Sequence, residues 1–155
     1  MPSPSTTLRD ENESMTTLLD LLKQEQQCLV SADTDGLTAL TPRKAELITR
    51  MATLAAERHQ SLAQSGHPDN DGGMASWLPA NGDAAAAALW QDLLEHTRAA
   101  KEVNRVNGML ISKQLAHNQN VLNAMRTPAG NSAAGTYGPN GQPITSGASR
   151  RFVIG

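Results

Sequence analysis

The chain has 155 residues, with 13 Lys plus Arg against 15 Asp plus Glu and a formal net charge of −2. That length suits one domain with a modest core, and the near-neutral charge offers no general attraction to nucleic acid or to an anionic membrane surface. The single cysteine, Cys28, excludes an intrachain disulfide framework and a thiolate-rich zinc site.

The amino-terminal stretch MPSPSTTLRDENES has no basic start followed by an apolar run, and no segment approaches the length of a bilayer-crossing helix. The expectation is a cytoplasmic protein with no membrane insertion. Aromatic residues are confined to Trp77, Trp90, Tyr137 and Phe152, so a core must be filled by Leu, Ile, Val, Met and Ala. Runs of alternating β-branched and aromatic residues are missing before the last few positions, which points to an all-α fold.

The first predicted helix covers about residues 6–30. Met15, Leu18, Leu19, Leu22 and Leu29 recur at three- and four-residue steps and share a face. Ser31 to Gly36 reads as a tight connection between antiparallel helices, with Asp33 or Thr34 as N-cap of the next helix. That second helix, about 34–64, carries Leu37, Leu40, Leu47, Ile48, Met51, Leu54 and Ala55 on its inner face. Pro42 falls in its first turns, where it either restarts the helix or kinks a continuous one. Residues 65–83, SGHPDNDGGMASWLPANGD, are crowded with Gly, Pro, Asn and Asp and predict a loop with at most one helical turn around Met74 to Leu78.

Asp83 then caps a third helix over about 84–126, free of proline and patterned by Leu89, Leu93, Ala100, Val103, Leu110, Ile111, Val121 and Met125. At 1.5 Å per residue it extends about 65 Å, against about 37 Å for the first helix. The expected architecture is an antiparallel three-helix bundle or coiled coil with a long third helix, in a helical domain of residues 1–126. Residues 127–155 are rich in Gly and Pro, hold no acid and show no periodicity, which predicts a flexible C-terminal tail.

Chemistry-bearing constellations fail on inspection. His59, His67, His96 and His117 include no pair at i,i+4 and no neighbouring cysteine, so no metal site is expected. Asp33-Thr34-Asp35-Gly36 places its glycine too early for a calcium loop, and Lys44 stands where the bidentate Glu belongs. Asp69 to Gly73 reads as a turn. There is no phosphate-binding Gly-rich loop, no nucleophile elbow and no nucleophile with its base, and carboxylate pairs such as Asp92 and Glu95 occur on any charged helix face. Neither an enzyme nor a bound cofactor is expected.

One stretch is unusual. NRVNGMLISKQLAHNQN, residues 104–120, sets Asn104, Asn107, Gln114 and Asn118 where the apolar stripe should run, with Gly108 beside them. Buried amides can fix the register of a bundle at some cost in stability. Alternatively, the seam lies open in the free protein, and amides plus a small residue suit a groove that is filled only part of the time. Periodicity leaves both readings standing.

The same stretch resembles the FlgN family of flagellar type III export chaperones. The likeness lies in Asn104-x-x-Asn107-Gly108-x-Leu110-Ile111, continued by Gln114, Asn118, Gln119 and Leu122, with Trp90-Gln91 and Glu95-x-Thr97 upstream. In the tail, Thr136-Tyr137-Gly138-Pro139-Asn140-Gly141-Gln142 is similar to the family's Tyr-Gly-x-x-Gly-Gln segment, and Arg150-Arg151 before Phe152-Val153-Ile154 to its basic-then-apolar terminus. These matches span about residues 90–155; the first two helices match in pattern and placement. The Ala-rich entry to the third helix and the long Gly/Pro loop depart from the family pattern.

The resemblance implies a cytoplasmic chaperone that covers the C-terminal amphipathic helices of the hook-filament junction proteins FlgK and FlgL and delivers them to the flagellar export apparatus. On it, Asn104, Asn107, Gly108, Leu110, Ile111, Gln114, Leu115, Asn118 and Leu122 form the client-binding surface. Tyr137, Gly138, Gly141 and Gln142 form a tail segment that docks on the export gate component or on the client. The competing reading is a structural coiled-coil adaptor that self-associates, as a homodimer for instance, through its long helix.

Overall fold

A computed structural model of the chain describes residues 2–126. The predicted tail, with Tyr137, Gly138, Gly141 and Gln142, lies outside the described residues. Four helices follow one another: α1 (Leu8–Val30), α2 (Thr34–Gln64), α3 (Asp71–Asn81) and α4 (Ala84–Arg126). The all-α bundle and its long last helix match the sequence reading. The helix in the region 65–83 is longer than expected: eleven residues rather than one turn.

Two helix ends use the same device with different residues. After α2, Gly66 takes φ 80°, and the amides of His67 and Gly66 bond back to the carbonyls of Leu62 and Ala63 at 2.9 and 3.0 Å. This is a Schellman motif, in which a left-handed residue returns two amides to the last turn. After α1 the same bonds run from Asp33 to Cys28 and from Ala32 to Leu29, but the left-handed position, φ 56°, is held by Ala32. Asp33 then accepts a bond from the Gly36 amide at 2.9 Å, capping α2. Asp83 does the same for α4 through the Ala86 amide at 2.8 Å. Pro42 sits inside a continuous α2.

The chain divides into two units, Met1–Ile111 and Ser112–Gly155. In the first, Glu11 meets Arg58 and Glu25 meets Lys44, so α2 runs antiparallel to α1. The Asn12 amide donates to the Leu89 carbonyl at 2.8 Å and Asn107 reaches Leu22 at 2.9 Å, so α1 and the opening part of α4 run parallel. The core gathers Leu8, Met15, Leu19 and Leu22 of α1, Leu62 of α2, and Trp90, Leu93 and Ala100 of α4. Met74 and Trp77 of α3 complete it. Their three-residue spacing gives α3 an inner face despite its breaker-rich composition, and Gly73 lets that helix start against the Pro68 backbone. Within the described part of the second unit, residues 112–126 are helical.

Candidate functional site

The polar seam divides on inspection. Asn107 is 1% exposed, and its amide donates both to the Leu22 carbonyl and to Glu25 Oε1 at 2.9 Å. Glu25 in turn accepts from Lys44 Nζ at 2.7 Å, so one chain of polar contacts crosses α4, α1 and α2. Such a link aligns helices against one another, because any axial slip strands a buried amide. Asn107 Oδ1 is buried without a hydrogen-bond partner among the described residues, and an unmet acceptor of this kind costs about 1–3 kcal/mol. This residue therefore acts inside the fold and presents no side chain at the surface.

The other predicted residues of the first unit lie nearer water. Asn104 and Gly108 are exposed, Leu110 is half-buried, and Ile111 and its neighbour Met109 are 43% and 51% exposed. A methyl group added at Gly108 would touch nothing within 4 Å. No packing among the described residues therefore explains a glycine there.

In the second unit Gln114 is half-buried and Asn118 exposed, while Leu115, Leu122 and Met125 are 64%, 57% and 74% exposed. At 100° per residue, Leu115, Asn118, Leu122 and Met125 fall within about 80° of one helix face. Apolar side chains in a row at heptad spacing form the half of a seam that a second helix completes. Single exposed leucines mean little; an aligned series means more.

Sequence reasoning passed over two further features of the first unit. Arg58 and Glu11 are buried as a bidentate pair at 2.9 and 3.0 Å. Thr7 donates to the same carboxylate at 2.7 Å, and Arg58 also reaches Asp71 at 3.0 Å and lies 4.8 Å from the Trp90 ring centroid. Burial alone would lower the Arg58 pKa, but the hydrogen bonds with Glu11 and then Asp71 raise it instead. Burial likewise pushes the Asp71 carboxyl up, and hydrogen bonds from His59 and Arg58 outweigh it and hold that group low. One guanidinium thus ties α1, α2, α3 and α4 together. Its signal in the sequence is an arginine on the apolar stripe of α2, three residues after Ala55 and four before Leu62.

The second feature is an open apolar trough between α2 and α4. Its two hollows, of about 260 and 210 Å³, meet at Met15 and Thr97. It explains why the predicted inner face of α2 is poorly covered: Leu40 is buried, Leu37, Leu47, Met51, Leu54 and Ala55 are half-buried, and Ile48 is 50% exposed.

Nothing in this arrangement resembles a reaction centre. Partial desolvation and the Asp33 carboxylate push the Cys28 thiol up, away from a reactive thiolate. No group of three or more His, Cys, Asp or Glu among the described residues could hold a metal ion, and no described helix is long and apolar enough to cross a membrane. What the surfaces offer is area for another helix.

Comparison with known proteins gives this geometry a context. The family model described as FlgN protein matches residues 1–144. The flagella synthesis protein FlgN of Yersinia enterocolitica is 28% identical over 138 residues, covering 88% of this chain and 86% of that protein. The protein of the same description from Proteus mirabilis is 27% identical with the same coverage. No solved structure matches the chain.

Proposed function

The chain belongs to the FlgN family and serves flagellar assembly, and from that premise we propose that it is a cytoplasmic export chaperone for the hook-filament junction proteins FlgK and FlgL. The observation that carries this reading is the exposed apolar row Leu115, Leu122 and Met125 on α4. Client helices that stay unassembled until export carry apolar stripes that self-associate, and a complementary helical face covers them without ATP. Each Å² of apolar surface covered contributes about 25 cal/mol, less the cost of ordering the client.

In this reading Leu110, Ile111, Leu115 and Leu122 supply the adhesive surface. Asn104, Gln114 and Asn118 moderate it so that release stays easy, and Gly108 admits close approach of a partner backbone. Asn107 contributes from within by fixing the rotation of α4 against α1. Residues 1–126 form the helical domain, and residues 127–155 form the tail. Tyr137, held among Gly138, Gly141 and Gln142, is the tail's handle for the export gate or the client, and the tether raises its local concentration.

The test is co-purification of the full chain with intact FlgK or FlgL and with versions lacking their C-terminal helix. Capture of the intact proteins alone supports the proposal. A chain that captures neither and instead self-associates with rising concentration is a coiled-coil adaptor, the competing reading.

A further inference from the structure

The trough between α2 and α4 in the first unit is a second apolar surface that the described residues leave uncovered. Its floor is α1, through Met15, Leu18 and Leu22. Its α2 wall runs Ile48, Met51, Ala55, and its α4 wall runs Leu94, Thr97, Ala100, Asn104. Both walls step by three and four residues, as two helices do when they flank a third. Between Trp90 and Asn104, which line opposite ends, the trough runs about 21 Å, or about four helical turns. The hollows are sized for side chains, so an occupying helix lies along the rim with its apolar stripe inserted.

Charge states what that helix carries. At one end the acids Glu11 and Asp71 are consumed by Arg58 and His59. At the other, Lys44 is held by Glu25. Lys101 lines the same end and makes no ion pair among the described residues. The trough is therefore apolar with one unspent positive charge on its rim.

We propose that this trough seats an amphipathic helix of about four turns from a partner protein, oriented by an acidic side chain at the edge of its stripe that meets Lys101. The inference rests on the chaperone reading, since it identifies which chemistry in a client helix the chain recognises, and it adds a surface that shares only Asn104 with the α4 residues considered above. An apolar stripe alone would slide along such a groove. A single carboxylate opposite a single lysine fixes register and direction.

The probe is a synthetic 18-residue helical peptide with a leucine stripe and one Glu at the stripe's edge, alongside the same peptide with Lys in place of that Glu. Binding is read by Trp90-dependent fluorescence and by amide chemical shifts of Thr97 and Lys101 in the full chain. The expected result is preference for the Glu peptide of at least tenfold, loss of binding in Ile48→Asp, and reversal of the preference in Lys101→Glu. Both side chains reach solvent, and unchanged circular dichroism verifies the fold of each variant. Equal binding of the two peptides, or an Ile48→Asp variant within twofold of the parent, overturns the proposal. Co-purification with the junction proteins separates this from the chaperone reading. If Ile48→Asp still captures them and Leu115→Asp does not, the trough proposal fails while the chaperone stands. If the parent chain captures none, the chaperone reading fails and the peptide result alone decides the trough.

Discussion

Ala32 shows what one residue costs when local geometry is fixed by the fold. It occupies the left-handed position of a Schellman turn that glycine fills at the end of the neighbouring helix, where Gly66 stands two residues past Gln64. A β-carbon in that region costs about 1 kcal/mol. Ala32→Gly should therefore raise stability by about 0.5–1 kcal/mol, measured by urea unfolding with an unchanged m-value. Glu11 works in the opposite direction. Glu11→Ala leaves Arg58 buried and short of its main partner, and should destabilise by about 3 kcal/mol in the same assay. Asp71 sets a pH dependence. Its folded pKa lies below the ordinary 3.8, so its contribution is present above that value and disappears as pH falls through the lower folded one. Melting temperature should fall in strongly acidic buffer, and Asp71→Asn should flatten that part of the curve.

Among the elements, α3 and α4 differ in how well the sequence announced them. The periodicity of α4 is legible because Leu93, Ala100, Leu110 and Met125 repeat over many turns. In α3, Gly72, Gly73, Pro79 and Asn81 outweigh by composition a face made of Met74 and Trp77 alone. Tertiary burial overrode weak helix propensity there, since Met74 is fully buried in the core cluster that also holds Leu62 and Trp90. Trp77→Ala should cost about 3–5 kcal/mol, a loss that a loop residue would not produce. The seam was legible as an anomaly but not as a sorting: nothing in spacing separates Asn107, which faces α1, from Asn104, which faces water. Rotation about a helix axis is decided by contacts with α1, and those contacts are absent from any local window. Gly108 now has a sharp test. Gly108→Ala should stabilise the chain by about 1 kcal/mol because the added methyl meets open space, while weakening capture of FlgK or FlgL if a partner backbone approaches there.

For the molecule as a whole, the separation of holding parts from offering parts is the main lesson. The Arg58 cluster, the Asn107 link and the Met74–Trp77 face hold the first unit together. Among the described residues two surfaces are left uncompleted: the trough between α2 and α4, and the apolar row on residues 112–126. Bundle class, capping by Asp83 and the length of α4 followed from pattern, which left the other cap between Asp33 and Thr34 until the Gly36 amide was found on Asp33. The trough did not, because an inner face that is only half covered has the same periodicity as one fully covered.

The most direct measurement is hydrogen exchange of the full chain, alone and with a peptide of the C-terminal helix of FlgK. Amides at residues 109–125 should exchange more slowly when the peptide is bound. Unchanged exchange across that stretch under saturating peptide would contradict it.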